Sequence, residues 1–92
     1  MKADVAVRQV TIVNRRGLHA RAAARFVKLA GEFDAEIMVA KDGTEVSGLS
    51  IMGLMMLAAA PGTSIEVRAQ GGQAKEALAA IAALVACGFD ED

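Results

Sequence analysis

Ile65, Val67 and Ala69 alternate with Ser64, Glu66 and Arg68, and this strict period of two is the strongest constraint on the fold. A strand with one apolar and one polar face belongs to a sheet covered on one side only. Two segments with helical periodicity supply the cover. From Ala20 to Gly31, the residues Ala23, Phe26, Val27 and Ala30 form an apolar stripe opposite Arg21, Arg25, Lys28 and Glu32, and Gly31 supplies a C-terminal stop. From Gln73 to Cys87, Ala74, Ala77, Leu78, Ile81, Leu84 and Val85 share one face, and Gly88 ends the run.

The remaining segments complete the pattern. Val10 and Ile12 share one parity and Gln9 and Thr11 the other, which predicts a strand from about Val5 to Val13, followed by a turn over Asn14 to Gly17. Ala35, Ile37 and Val39 alternate with Glu36 and Met38, and Asp42-Gly43 supplies the positive φ angles of a tight hairpin into Thr44-Glu45-Val46. Ser50 is placed to cap a short helix whose Leu54, Leu57 and Ala58 face inward, and Pro61-Gly62 suits the centre of a type II turn. The order βαββαβα predicts an α/β (α+β) open-faced sandwich: a four-stranded, mainly antiparallel sheet with three helices on one face. A chain of 92 residues, 54% of them hydrophobic, can bury one core and is too short for two, so residues 1–92 are expected to form a single domain.

Charge and cysteine content exclude several classes. Ten Lys+Arg against eleven Asp+Glu leave a net charge of -1, which argues against a domain held to nucleic acid by bulk charge. Three Phe with no Tyr or Trp leave little for single-stranded bases to stack on. The single cysteine, Cys87, excludes an internal disulfide framework and fits a reducing compartment, the cytosol by default. Met1-Lys2-Ala3-Asp4 lacks the apolar run of a secretory signal. The uncharged stretch Val46 to Ile65 is broken by Gly48, Gly53, Pro61 and Gly62, and its densest apolar run, Ile51 to Ala60, is far short of the ~20 residues that cross a bilayer. One His and one Cys far apart in sequence give no metal-ligand spacing. Asp4 and Asp34 could approach from loops, yet no Ser-His-Asp or Cys-His spacing marks a hydrolase. No cofactor is expected.

The candidate chemistry lies at His19, the only histidine, between a Gly17-Leu18 turn and the start of the first helix. Unpaired backbone N–H groups and the helix dipole favour an anion there, so this helix start could hold a phosphoryl group attached to an imidazole nitrogen. The same field favours a neutral, nucleophilic ring. Arg21 could grip phosphate oxygens through its planar guanidinium. Between Asn14 and Leu29 stand five cations (Arg15, Arg16, Arg21, Arg25 and Lys28) and no carboxylate, which implies an anionic ligand or an acidic partner surface. By spacing alone, an ordinary capping histidine beside a solvated basic helix face accounts for the same residues. Ser50 is fully explained as an N-cap, although phosphate on it would add charge to a nearby docking surface. Met52, Met55 and Met56 cannot all point inward beside Leu54 and Leu57, so some methionine should be exposed to partners.

Gly17-Leu18-His19-Ala20-Arg21, followed by Ser50-Ile51-Met52-Gly53-Leu54-Met55, resembles the HPr family of histidine phosphocarriers of the bacterial phosphotransferase system. The resemblance covers nearly the whole chain, and the family's open-faced sandwich agrees with the element order. It implies that His19 accepts a phosphoryl group on Nδ1 from phosphorylated enzyme I and passes it to a histidine of an enzyme IIA-type protein. It assigns phosphate contact to Gly17, Ala20 and Arg21, and partner contact to Ala20, Ala24, Ile51, Met52, Gly53, Met55 and Met56. Ser50 matches the serine that a dedicated HPr kinase/phosphorylase modifies in some bacteria. A cytoplasmic monomer, acting as a carrier in a relay that serves sugar uptake or nitrogen-related regulation, is the implied state. Two positions depart from the family pattern: Ala22 replaces the usual proline, and Arg16 stands where a short polar residue is common. The competing reading is a regulatory module that binds a protein or metabolite through its basic helix face without covalent chemistry.

Overall fold

In the computed structural model, residues 5–91 are described; Asp4, weighed above as an approaching carboxylate, lies outside them. The alternating segment becomes β4 (Ser64–Gln70), an interior strand flanked by β1 (Val5–Thr11) and β2 (Glu36–Lys41), with β3 (Thr44–Ser47) beyond β2. The sheet order is therefore β1-β4-β2-β3, and every ladder is antiparallel. Register sets the two faces. Val10 pairs with Ile65, Val67 with Val39 and Ala69 with Ile37, and all six are buried beneath the helices. The row Val7, Arg68, Met38, Ser47 lies on the opposite, uncovered face.

Three helices, α1 (Ala20–Ala30), α2 (Ile51–Met56) and α3 (Ala74–Ala86), cover the apolar face. Helix α1 buries Ala22, Ala23, Phe26 and Ala30, while α3 buries Ala74, Ala77, Leu78, Ile81 and Val85. Together with the inward strand residues they form one apolar cluster. The fold class and element order read from the sequence match this architecture.

Local turns follow their residues. Asp42 and Gly43 both take positive φ, 52° and 84°, so that Lys41 pairs with Thr44 in a two-residue hairpin. Gly62 has φ 87°, and the Thr63 N–H donates to the Ala60 carbonyl at 3.1 Å, closing the turn at Pro61-Gly62. Gly88, at φ 69°, ends α3.

Other expectations fail locally. The first strand ends at Thr11 rather than Val13, because Ile12 leaves the ladder to exchange hydrogen bonds with the Pro61-Gly62 turn: it donates to Thr63 O and accepts from Gly62 N. Gly31 caps α1 in right-handed geometry, φ -72°, since the chain unwinds through shorter turns with Glu32 N–H on Leu29 O and Phe33 N–H on Ala30 O. Ala58, expected to face inward, is exposed with φ 51°. Helix α2 stops at Met56, and this left-handed residue swings the chain so that Ala59, its neighbour, is buried instead.

Candidate functional site

The site starts with a glycine whose position leaves no room for a side chain. Gly17 is buried with φ 67°, and a Cβ there would fall 2.4 Å from the Ala59 carbonyl oxygen. That oxygen accepts the Leu18 N–H at 3.0 Å, and the Leu18 side chain enters the core. The left-handed turn at Ala58 thus delivers the carbonyl on which the Gly17-Leu18 turn rests. Its geometry carries the chain directly into α1.

His19 is the N-cap of α1. Its backbone is extended, with φ -81° and ψ -178°, and its carbonyl accepts the Ala23 N–H at 2.8 Å. The imidazole makes no capping hydrogen bond, so the first-turn N–H groups of Ala20, Arg21 and Ala22 have no partner within the helix, and the first turn holds no acidic residue. These donors and the dipole form an anion-favouring end. Ala22, where the family pattern has proline, is fully buried at the third helical position. An N–H at that position lies outside the helical ladder, so either residue suits the helix.

The imidazole has a partner that the sequence reading missed. His19 Nε2 lies 2.5 Å from Glu91 Oε2, and Asn14 Nδ2 donates to Glu91 Oε1 at 2.9 Å. Asn14, buried to 3% exposure, also donates to the Gly17 carbonyl at 2.8 Å, while its Oδ1 has no partner among the described residues. Both partners of the amide nitrogen are pure acceptors, which fixes the orientation of the amide. A carboxylate likewise only accepts, so Nε2 carries the ring proton shared with Glu91, and Nδ1 has no hydrogen-bond partner among the described residues.

Glu91 arrives on a short strap after α3. Gly88–Asp90 makes a single tight turn in which Phe89 and Asp90 are left-handed, φ 57° and 62°. The Phe89 ring is fully buried, and its carbonyl accepts from the Arg25 guanidinium. The strap is therefore tied to both the core and α1. The Asn14 hydrogen bond is the largest influence and lowers the Glu91 carboxyl; desolvation opposes it, and the hydrogen bond and charge of His19 and the charge of Arg16 add to the lowering, so the carboxyl lies below the usual glutamate range. A lowered value means that the stabilisation contributed by the Glu91 contact is full above the usual glutamate range and is lost as pH falls through the lowered value. In a pH series of carboxyl carbon spectra, Glu91 should titrate at lower pH than an ordinary glutamate, and Asn14→Ala should move its midpoint upward. An ordinary midpoint in the wild type would contradict the contact.

Arg15, Arg16, Arg21 and Arg25, with Asp90 and Glu91, line a cleft of about 350 Å3. Arg21 thus stands beside the helix start, as expected, among three further arginines. Part of the acidic complement sought for the cations at positions 14–29 belongs to the same chain. Its sequence signal was the Asp90-Glu91-Asp92 ending. Asp34 is elsewhere: its N–H and carbonyl engage Gln73 before α3. Among the described residues no group of three or more His, Cys, Asp or Glu is placed to hold a metal ion.

The second motif packs beside the first, since α2 contacts α1. Ser50 Oγ accepts the Gly53 N–H at 2.9 Å, as a cap should. Gly53 lies close over this cap: a Cβ would be 3.0 Å from both Ser50 Oγ and Val46 Cβ. Leu54 and Leu57 are buried, whereas Met52 and Met56 are each 74% exposed, with Ile51 and Met55 less so. Leu49, which sequence reasoning did not single out, joins this apolar surface at 57% exposure. Ala20 and Ala24 are exposed on α1. No helix among the described residues is long and apolar enough to cross a membrane.

A family model described as "PTS HPr component phosphorylation site" matches residues 6–86. The chain belongs to the HPr family. Among its relatives, the phosphocarrier protein HPr of Cupriavidus necator is 43% identical over 84 residues, spanning 91% of this chain and 94% of that one. The phosphocarrier protein NPr of Escherichia coli is 49% identical over 84 residues, spanning 90% and 93%. The crystal structure of HPr-C-His from Thermoanaerobacter tengcongensis aligns with a TM-score of 0.90 at 38% identity, covering 95% of this chain and 98% of that one. Both HPr and NPr names therefore occur among relatives of similar likeness. The match to the HPr family model ends before the strap that carries Glu91.

Proposed function

We propose that this HPr-family chain is a phosphoryl carrier in which His19 Nδ1 accepts phosphate from phosphorylated enzyme I and donates it to a histidine of an enzyme IIA-type protein. The observation that carries this reading is the placement of an otherwise unpartnered Nδ1 at an uncapped helix start beside an arginine-lined cleft. Backbone N–H groups at the start of α1 and the Arg21 guanidinium are suited to phosphoryl oxygens. Gly17 keeps the approach open by letting the backbone turn tightly. The cleft is open to solvent, so the partner protein completes the surroundings of the transferring group, and positioning and electrostatics supply most of the catalysis. The chain is a relay member in the cytoplasm, a monomer, and not a stand-alone turnover enzyme.

The exposed Leu49, Ile51, Met52, Met55 and Met56, together with Ala20 and Ala24, form the docking surface; Gly53 keeps its backbone close to Ser50. Thioether side chains adapt to more than one partner, which suits a carrier that must meet both donor and acceptor. Relatives named HPr and NPr fit sugar uptake and nitrogen-related regulation respectively. The test is intact-mass spectrometry after incubation with phosphoenolpyruvate and a bacterial enzyme I. A single acid-labile phosphoryl group is the expected result; no adduct, with a known carrier labelled in parallel, would favour non-covalent regulation.

Ser50 is the regulatory position within this reading, a substrate for an HPr kinase/phosphorylase where the host has one. Ser50→Ala should cost about 1 kcal/mol in unfolding free energy through loss of the cap. Ser50→Asp retains a capping oxygen and adds charge among the methionines, so it should leave stability nearly unchanged and weaken enzyme I binding. Calorimetric titration separates the two effects, and unchanged affinity for Ser50→Asp would remove the regulatory role.

A further inference from the structure

We propose that Glu91 is the positioning residue for His19: braced by Asn14, its carboxylate holds the Nε2 proton, leaves Nδ1 as the nucleophile, and balances the ring's positive charge once Nδ1 is phosphorylated. The inference rests on the carrier reading and adds a residue to it from outside the span matched by the family model. Three observations support it.

First, the carboxylate chooses the imidazole over stronger cations. Arg15, Arg16 and Arg21 line the same cleft, yet among the described residues none of them is in an ion pair, whereas Glu91 lies 2.5 Å from His19 Nε2. A strap serving only to hold this segment in place would gain more from a bidentate arginine. Second, Asn14 is built into this contact at a cost. Both hydrogens of its amide are used, on the Gly17 carbonyl and on Glu91, and its buried Oδ1 has no partner among the described residues. An unsatisfied buried acceptor destabilises a fold, so stability alone does not account for the residue. Third, the strap is anchored independently by the buried Phe89 ring and the Arg25 guanidinium on the Phe89 carbonyl. Glu91 is thereby presented to the ring by an anchored segment.

The chemistry balances with this arrangement. The Nδ1 lone pair forms the new N–P bond while the N–P bond to the donor histidine breaks, and that electron pair returns to a donor ring already protonated at its other nitrogen. No proton leaves His19, so its ring becomes a phosphorylated imidazolium whose Nε2–H remains on Glu91. Arg16, Arg21 and the other arginines of the cleft face the anionic phosphoryl group, with Asp90 the second acid there. Keeping Nε2 protonated also keeps His19 a good leaving group for onward transfer, since the ring then departs neutral.

Two variants separate orientation from charge. Glu91→Ala removes both, and nitrogen spectra of the unphosphorylated ring should change from the Nε2–H form to a mixture of tautomers. Glu91→Gln keeps an acceptor oxygen and removes the charge; the purified phosphorylated protein should return its phosphoryl group to enzyme I, with pyruvate present, about tenfold more slowly than wild type. Unchanged ring-nitrogen shifts in Glu91→Ala, or a return rate for Glu91→Gln within about twofold of wild type, would overturn the proposal. If the wild type takes no phosphate at all, the carrier reading fails instead, and the tautomer measurement still judges the Glu91 contact by itself.

Discussion

His19→Ala takes up no phosphoryl group from phosphoenolpyruvate and enzyme I, and its circular dichroism spectrum stays that of the wild type. The structure explains why function and folding should separate so cleanly at this residue. The imidazole makes no capping hydrogen bond to α1, so alanine removes no cap, and the carbonyl that starts the helix remains on the Ala23 N–H. Core contacts of Leu18, Ala22 and Ala23 are untouched. What disappears is the ring and its contact with Glu91. Intact-mass spectrometry of wild type and variant in parallel reads the result. Continued acid-labile labelling of the variant would reject His19 as the acceptor, and a collapsed spectrum would assign the ring a structural role.

Phe89→Ala should cost about 3–5 kcal/mol in unfolding free energy, the largest stability effect expected near the site. The ring is fully buried at the junction of the strap with the rest of the core. Its removal leaves a cavity and also loosens a backbone that is left-handed at two consecutive non-glycine residues, Phe89 and Asp90. Asp90 tolerates that conformation but Phe89 does not favour it; the packed ring and the Arg25 hydrogen bond hold it in place. Urea unfolding measures the loss as a lower midpoint at unchanged slope. Phe89→Leu, which retains much of the volume, should lose clearly less. A loss for Phe89→Ala of less than about 1 kcal/mol would mean that the strap contributes little to the core. In the surviving folded protein, the Glu91 contact with His19 should weaken, visible in the same ring-nitrogen spectra.

Much of this molecule is legible in its sequence because the determinants are local. The alternation at Ile65, Val67 and Ala69 fixed which face of β4 is buried, and Asp42-Gly43 specified a hairpin by the backbone angles those residues tolerate. The stripe of α1 and the Ser50 cap were readable in the same way. His19, Arg21 and the methionines stand out by residue type and neighbours, and the structure puts them at a helix start, on its first turn and on the surface. Ala58 was misplaced because helical spacing was extended past Met56, where the need to bring Ala59 under Gly17 takes over. Glu91 and Asn14 escaped for a different reason. A hydrogen bond between positions 14 and 91 leaves no periodic trace, and an asparagine in a turn carries no mark of whether it is buried. Charge offered the one hint, a basic segment near one end of the chain and an acidic ending at the other.

The sheet order also has a consequence for how the molecule is made. β1 is the first strand to be synthesised and its only neighbour is β4, with Val5 against Gln70 and Thr11 against Ser64. The hairpin of β2 and β3 closes over a two-residue turn and can form early, whereas β1 must wait for a pairing across most of the chain. On a ribosome, that strand emerges without its mate, and Glu91 is translated long after the imidazole it faces. A chain cut short before Glu91 would therefore carry the histidine and the arginines without the carboxylate that faces the ring, so the site is assembled only when segments far apart in the chain have met.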